Sequence, residues 1–316
     1  SGQLGNGSTT LRQTRPVPVS TSTGMGDAAS ISAGNQFTCA VKTDGSAWCW
    51  GRGVRAQLGN GSSGSGYQET TPVAVSTSTG MGDVASISAG SRHTCAVATD
   101  GGAWCWGDYS SGKLGNNYTS HQFTPAAVST STGMGDVASI SADGNHTCAV
   151  TTDGSAWCWG RGYKGQLGIG ITSQENMPVE VSTSTGMGAV ASISAPGFQT
   201  CAVTTDGSPW CWGDNDDGQV GDGTTTQRIS PVEVAYPTPG CGNPGDFCFA
   251  WTVFVTSQSW TGDLGGISGA DAKCQNLADA ASLPGTYVAW LANTSILSAP
   301  DSASRFSTLR GTSQGF

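Results

Sequence analysis

The apolar positions of this chain fall in short runs, and the polar and glycine residues between them are typical of turns. The clearest runs flank an Asp-Gly pair in the motif Thr-Cys-Ala-Val-x-Thr-Asp-Gly-x-x-Trp-Cys-Trp, which occurs at residues 38–50, 94–106, 147–159 and 200–212. Runs of β-branched or aromatic residues on both sides of Asp-Gly indicate a β-hairpin. The motif therefore predicts four hairpins, each with a three-residue Thr-Asp-Gly loop whose glycine is left-handed.

The two cysteines of each motif are ten residues apart and symmetric about the Asp of the turn. A three-residue loop places Cys39 directly opposite Cys49, within disulfide reach. A two-residue loop would shift the register by one residue and place Cys39 opposite Trp50. The first register predicts four disulfides, and the alternative is eight reduced cysteines in the core. The predicted pairs are Cys39–Cys49, Cys95–Cys105, Cys148–Cys158 and Cys201–Cys211.

The hairpin motif belongs to a longer repeat, because successive copies begin 56, 53 and 53 residues apart. Each unit is interpreted as four short strands, which in the second unit are 72–76, 84–89, 93–98 and 103–106. Four strands in a unit of this length are typical of a β-propeller blade. The expected fold class is therefore mainly β, with blades of four antiparallel strands. Four complete units are expected within residues 1–236, at about 15–50, 71–106, 124–159 and 177–212, followed by a closing strand at 230–236.

The order of short motifs within each unit resembles the regulator-of-chromosome-condensation repeat family. Ile-Ser-Ala-Gly-x-x-x-Thr-Cys-Ala-Val leads to Asp-Gly, then to Trp-Cys-Trp-Gly, and then to Gly-Gln-Leu-Gly or a near variant. The resemblance implies a propeller, commonly of seven blades, and the cysteine-bearing form is similar to bacterial extracellular members. Four units do not complete such a ring. We expect the missing blades in sequence outside this chain; the alternative is an open arc completed by another molecule.

A second domain is expected after a Pro/Gly-rich linker at 237–247. Residues 248–316 resemble the N-terminal part of a bacterial family with a C-type-lectin-like, α+β fold. The resemblance is carried by Phe-Val-Thr-Ser at 254–257, Gly-Gly-Ile-Ser-Gly-Ala-Asp-Ala-Lys-Cys at 265–274 and Gly-Thr-Tyr-Val-Ala-Trp-Leu at 285–291.

The cysteines of this C-terminal region form no repeat. Cys241 and Cys248 are candidates for a fifth disulfide. In the lectin-like fold the helix cysteine typically pairs with one near the C-terminus, which implies that the partner of Cys274 lies outside this chain. The alternative is a free buried thiol.

Composition narrows the classes of function. Only 11% of residues are charged and the net charge is −9, which argues against nucleic acid as a partner because phosphate binding needs basic patches. No apolar run reaches the roughly 20 residues of a membrane helix. Paired cysteines are typical of proteins outside the reducing cytosol, so we expect an extracellular or cell-surface location.

Catalysis is not expected. His93 and His146 occupy one repeat position, where the other units have Phe37 and Gln199, so packing or loop hydrogen bonding is the favoured role. No nucleophile elbow, P-loop or zinc-protease motif occurs. The acidic loop 214–218 lacks EF-hand spacing and is interpreted as a solvated loop. No metal or cofactor is therefore predicted, and the paired tryptophans of each motif are expected to pack between blades.

Binding residues are expected where the units differ, in the loops after Trp-Cys-Trp, because loops on a rigid scaffold commonly carry function. We predict a non-enzymatic adhesion or structural protein that binds a glycan or protein surface through these loops and the lectin-like module. The alternatives are a self-associating subunit of an extracellular filament or sheath, and a secreted enzyme inhibitor. Five Asn-x-Ser/Thr triplets, beginning at Asn6, Asn60, Asn117, Asn145 and Asn293, match the glycosylation pattern. The candidate binding residues are Arg55, Tyr67, Tyr109, Tyr118, His121, Tyr163 and Lys164.

Overall fold

The chain forms four antiparallel sheets, each made of four strands that follow one another in sequence. The computed structural model describes residues 2–9 and 13–235. The strands of sheet 1, β1 to β4, are Ala28–Ala33, Phe37–Lys42, Ala47–Arg52 and Gln68–Ala74. The strands of sheet 2, β5 to β8, are Val84–Ala89, His93–Ala98, Ala103–Gly107 and Gln122–Ala127.

Sheets 3 and 4 repeat this arrangement. The strands of sheet 3, β9 to β12, are Val137–Ala142, His146–Thr151, Ala156–Gly160 and Glu175–Glu180. The strands of sheet 4, β13 to β16, are Val190–Ser194, Gln199–Thr204, Pro209–Gly213 and Arg228–Glu233. One 3₁₀ turn, Ser110–Gly112, is the only helical element of the described part, and nothing there could span a membrane as a helix. A mainly β fold with sheets like propeller blades is thus confirmed.

The hairpins have the predicted loop. The Lys42 N–H donates to the Ser46 carbonyl at 2.9 Å, which leaves three residues at the tip, and Gly45 has φ +83°. Cys39 consequently lies opposite Cys49 and not opposite Trp50. Four disulfides join the opposed cysteines, with the two Cα atoms of each pair 4.1 Å apart. The predicted pairing within the four motifs is confirmed.

The structure groups the strands differently from the expected units. Residues 72–74, expected to begin the second unit, belong to β4, where Val73 pairs with Cys49 of β3. The expected closing strand at 230–236 falls in β16, where Val232 pairs with Cys211 of β15. The loop after each Trp-Cys-Trp therefore returns the chain to its own hairpin. The sequence did not reveal this, because an edge strand carries the same residue pattern whichever neighbour it pairs with.

Apolar side chains fill the spaces between consecutive sheets. Phe37, Leu58 and Met81 of the first repeat form one buried cluster with Val84 and Trp106 of sheet 2. Equivalent clusters lie between sheets 2 and 3 and between sheets 3 and 4. The scaffold is thus held by sheet-on-sheet burial, which is the main stabilising term in such repeats.

The outer faces of sheets 1 and 4 differ from the faces between sheets. Val203 of sheet 4 is 39% exposed, whereas its equivalents in the other three sheets, Val41, Val97 and Val150, are each 2% exposed. Ile31 of sheet 1 is also exposed. Further four-stranded units would cover such faces, and the expectation of further blades stays a prediction.

The expectations for the C-terminal region lie outside the described residues. These are the linker at 237–247, the lectin-like module at 248–316, the pair Cys241–Cys248 and the pairing of Cys274.

Candidate binding surface on the loops after the third strands

Each sheet is fastened to the preceding repeat by one backbone carbonyl in the Gln-Leu-Gly loop. The Gln57 carbonyl accepts hydrogen bonds from Trp106 Nε1 at 3.0 Å and from Thr94 Oγ1 at 2.7 Å, both in sheet 2. The carbonyls of Gln3, Lys113 and Gln166 accept the same two bonds from the Trp and Thr of sheets 1, 3 and 4. We call these four oxygens the loop carbonyls.

The second tryptophan of each motif is therefore part of the scaffold. Trp50, Trp106, Trp159 and Trp212 are fully buried, and the indole N–H of each has its partner in a loop carbonyl. A buried Trp needs such a partner because an unpaired indole N–H is costly. The predicted packing between blades is confirmed for Trp106, Trp159 and Trp212, which lie in the clusters between sheets.

Glycine is required where the loop carbonyl approaches the indole. Gly59 has φ +67°, and a Cβ placed on it would lie 2.5 Å from Trp106 Nε1. Gly5, Gly115 and Gly168 meet the corresponding tryptophans in the same way. The recurrence of Gln-Leu-Gly thus reflects the close approach of the loop to the next sheet.

Two buried histidines extend this network. His93 Nε2 lies 2.9 Å from Thr147 Oγ1, and His146 Nε2 lies 2.9 Å from Thr200 Oγ1. Each threonine hydroxyl already donates its proton to a loop carbonyl, so it accepts from the histidine Nε2–H. Both rings are fully buried. The interpretation of His93 and His146 as packing and hydrogen-bonding residues is confirmed.

Burial makes these histidines hard to protonate. Removal from water lowers the pKa of His146 from 6.5 to about 4 and lowers the pKa of His93 well below its ordinary value. For His93, the positive charge of Lys113 acts in the same direction. Both rings are accordingly neutral at physiological pH.

His146 gives the stability a dependence on pH. Between pH 6.5 and about 4, His146 binds a proton in the unfolded chain but not in the folded protein. The contribution of His146 to the free energy of unfolding is therefore complete above pH 6.5 and is lost as the pH falls. We expect the free energy of unfolding to decrease from pH 7 to 5 by about 2 kcal/mol more in the wild type than in His146→Gln. Urea unfolding at a series of pH values measures the difference.

Glutamine does not titrate in this pH range, so His146→Gln removes the proton binding and keeps a polar side chain. Glutamine is suitable at position 146 because Gln199 occupies that place in sheet 4. Equal pH dependence in His146→Gln and the wild type would contradict the assignment.

The loop between β7 and β8 of sheet 2 contains a buried ion pair that the sequence analysis missed. Lys113, which replaces the glutamine of Gln-Leu-Gly, lies with Nζ 3.2 Å from Asp108 and 3.1 Å from Asn145 Oδ1. Burial alone would raise the pKa of Asp108, but the Lys113 ammonium and the bonds from Ser110 hold that pKa below its ordinary value. The sequence signal that could have indicated this ion pair was the presence of both Asp108 and Lys113 in one variable loop.

Three candidate binding residues meet at the loop end, where the segments between third and fourth strands lie. Arg55 of sheet 1 lies 3.2 Å from His121 of sheet 2, and the His121 ring packs edge-on against Tyr109 with centroids 5.3 Å apart. His121 Nδ1 also lies 3.4 Å from Asp108. The structure thus joins Arg55, Tyr109 and His121 into one cluster across two sheets.

The other candidates differ in their surroundings. Tyr118 and Tyr163 are both 55% exposed, and Arg161 lies over the Tyr163 ring. Lys164 reaches from sheet 3 to Asp214 and Asp216 of sheet 4, at 3.0 Å from each. Tyr67 is half-buried within its own loop, where its hydroxyl lies 2.7 Å from Asn60 and from Glu69.

The acidic loop of sheet 4 is held by hydrogen bonds. Asn215 is fully buried, and its amide donates to the backbone carbonyls of Thr224 and Thr226 at 3.0 Å. Lys164 forms ion pairs with both adjacent carboxylates, those of Asp214 and Asp216. Within residues 2–9 and 13–235, no group of three or more His, Cys, Asp or Glu side chains is placed to hold a metal ion.

A polar cleft of about 470 Å³ lies between sheets 1 and 2 at the loop end. Arg52, Arg55 and Arg92 line it together with amides and hydroxyls. Of these three arginines, the sequence analysis selected only Arg55. The other two lie on different sheets and are brought together by the packing of the sheets.

The repeated sheets and their loop carbonyls define a repeat protein of the β-propeller class. The RCC1-like domain family matches residues 1–258, and the chain belongs to this family.

Two curated relatives show how far the similarity extends. The chain is 31% identical over 238 residues to the ultraviolet-B receptor UVR8 of Arabidopsis thaliana, which covers 75% of this chain and 52% of that protein. It is 30% identical over 236 residues to the E3 ubiquitin-protein ligase HERC2 of Homo sapiens, covering 74% of this chain and 5% of the ligase. The chain thus spans about half of the first relative and a small part of the second.

Two solved structures share the fold. Human WBSCR16 matches with a TM-score of 0.61 and 22% identity, over 67% of this chain and 54% of that one. Yeast RCC1 (Prp20), in its complex with Kap60, matches with a TM-score of 0.57 and 19% identity, over 66% of this chain and 49% of that one. At these identities the likeness concerns the fold.

Proposed function

We propose that this protein is a non-enzymatic binding protein, located outside the cytosol, whose variable loops attach it to a glycan or protein surface. The observation that carries the proposal is the cluster of Arg55, Tyr109 and His121 at the loop end. Cationic and aromatic side chains on loops above a rigid scaffold are the usual means of surface recognition.

The recurring and the variable segments of each repeat have different roles, and this difference supports a binding function. The segments that recur almost unchanged supply the buried hairpins, disulfides and loop carbonyls. The loops after the third strands differ in length and charge, and they carry Tyr109, Tyr118 and Tyr163, whose rings are exposed. Specificity is therefore expected to reside in these loops.

The disulfides support a location outside the cytosol. Each of the four bridges closes a hairpin with a sequence separation of ten residues. Such bridges persist in oxidising compartments and are rare in the cytosol. The adhesion, filament and inhibitor roles all require this location, and adhesion is the one that the exposed loop cluster favours.

The relatives with ligase names do not argue for an enzyme. The match to HERC2 covers 5% of that protein, and the matched part is the RCC1-like domain. In the described part of this chain, His93 and His146 are buried in inter-sheet hydrogen bonds. Side chains held in this way serve the scaffold.

The proposal is tested with the full chain on a glycan array and on immobilised cell-surface proteins. We expect a defined set of binding partners and a loss of at least about tenfold in affinity for the double variant Tyr109→Ser/His121→Ser, since central interface residues contribute 2 kcal/mol or more. The control variant Ile31→Ser removes an exposed apolar side chain from β1 and should bind like the wild type.

Two results would contradict the proposal. If neither array gives a signal with the folded, disulfide-bonded chain, surface attachment is wrong. If the double variant binds as well as the wild type, the loop cluster is not the contact site.

A further inference from the structure

The cleft between sheets 1 and 2 contains positive charge that the described protein does not neutralise. All three described lysines and Arg228 form ion pairs with aspartates. Arg52, Arg55 and Arg92 form none with any carboxylate of residues 2–9 and 13–235. Arg52 instead donates to the Gln36 amide oxygen at 3.0 Å, and Arg55 lies 3.2 Å from the His121 ring.

Arg15 and Arg161 form no ion pair with a described carboxylate either, but neither lines the cleft, which is distinguished by the convergence of three such arginines. The chain carries 22 acidic and 13 basic side chains, so carboxylates are in excess. In such a chain, three arginines lining one cleft without a carboxylate partner indicate a place that favours an anion.

The three arginines come from different elements and converge on the same cleft. Arg52 ends β3, Arg55 lies in the following loop, and Arg92 precedes β6. The pKa of Lys113 is lowered, chiefly by burial, and the charges of Arg92 and Arg55 add to this effect in spite of the neighbouring Asp108. The positive potentials of Arg55 and Arg92 therefore overlap in this part of the loop end, and Arg52 lines the same cleft.

The rest of the cleft wall suits a hydroxyl-rich ligand. It is formed by amide, hydroxyl and glycine residues, and Val54 is its one apolar side chain. A peptide-binding hot spot would instead need an aromatic or aliphatic pocket. The other lining residues are Asn35, Gln36, Gln57, Gly64, Ser65, Gly66 and Ser91.

We propose that this cleft binds an anionic saccharide, with Arg52, Arg55 and Arg92 holding its carboxylate or sulfate group. The planar guanidinium fork matches both groups and can donate two parallel hydrogen bonds to them. Asn35, Ser65 and Ser91 supply polar partners for the sugar hydroxyls. The inference deepens the proposed surface attachment and rests on it for the source of the saccharide.

The repeat supplies a matched control. Arg161 occupies in sheet 3 the position that Arg52 occupies in sheet 1, directly after Trp-Cys-Trp-Gly. Arg161 lies over the rings of Tyr163 and Phe198, at 5.5 Å from each centroid, and does not line the cleft. Arg161→Gln therefore removes the same charge without altering the cleft.

The experiment titrates the full, disulfide-bonded chain by calorimetry at two salt concentrations. The probes are oligogalacturonate, dextran sulfate oligosaccharides, neutral dextran and a polyglutamate peptide. We expect binding to at least one of the two anionic saccharides and none to neutral dextran. Arg52→Gln/Arg92→Gln should weaken that binding at least about tenfold, because two charge-assisted contacts are lost. Arg161→Gln should bind within about twofold of the wild type, and thermal unfolding verifies that each variant is folded.

Three outcomes would overturn the proposal: no binding to either anionic saccharide, equal losses in the double variant and Arg161→Gln, or tighter binding of the polyglutamate peptide than of the saccharides. The two proposals fail separately. Surface binding that survives in Arg52→Gln/Arg92→Gln refutes the cleft alone. Oligosaccharide binding without attachment to any surface refutes the adhesive function alone.

Discussion

Reduction of the four disulfides is expected to unfold the protein at urea concentrations where the oxidised protein stays folded. Each bridge joins residues ten apart, and closing a loop of this size contributes about 2–3 kcal/mol. Four such contributions, roughly 10 kcal/mol together, are comparable to the entire stability of a typical domain. Urea unfolding followed by tryptophan fluorescence, with and without reductant, measures the effect.

The control removes one bridge, by Cys95→Ala/Cys105→Ala, and should cost about 2–3 kcal/mol while leaving the sheet in place.

The bridges should also differ in accessibility. Cys95, Cys105, Cys148 and Cys158 are fully buried, whereas Cys201 lies on the partly exposed face of sheet 4. Under mild reduction, mass spectrometry should therefore find Cys201–Cys211 opened first. Simultaneous opening of all four bridges would contradict this difference in accessibility.

Gly59→Ala is expected to lower the free energy of unfolding by about 3–4 kcal/mol. The substitution places a side chain at φ +67°, which costs about 1–2 kcal/mol, and brings its Cβ to 2.5 Å from Trp106 Nε1, where overpacking costs about 1–3 kcal/mol more. The neighbouring ring is fully buried and its N–H is bound to the Gln57 carbonyl, so it cannot move away without breaking that bond.

Gly61→Ala separates the two contributions. Gly61 has φ +86°, but a Cβ there would meet nothing within 4 Å. This variant should lose about 1–2 kcal/mol, and its difference from Gly59→Ala gives the contact with Trp106. Chemical denaturation of both variants, together with their native tryptophan emission, provides the comparison. Equal losses would mean that the loop is not packed against the indole as described.

Local features of the fold were predicted well. The symmetry of Cys39 and Cys49 about Asp44, together with the expected three-residue turn, predicted the hairpin register that the structure shows. The repetition of Trp-Cys-Trp similarly indicated that Trp106 and its equivalents pack between sheets. The two cysteines lie close together in sequence. The packing of the tryptophans was indicated by a short motif that recurs in every unit.

Features that depend on distant residues were not predicted. The fourth strand of each sheet was assigned to the following unit, since nothing in residues 72–74 specifies pairing with Cys49. Arg52 and Arg92 were not recognised as a pair, because forty residues and a change of sheet separate them. Among the binding candidates, Tyr67 resembled the others in sequence, and only its hydroxyl contacts assign it to its own loop.

The sequence by itself determined the repeat, the hairpins and the regions where the units differ, and it favoured the four disulfide pairs. These follow from turn geometry and residue spacing, which act over a few residues. The tertiary structure decided which strands share a sheet, how the loop carbonyls bind the next tryptophan, and that three arginines line one cleft without a carboxylate partner. Such relations depend on which surfaces pack against each other, and packing joins residues that the linear sequence keeps far apart.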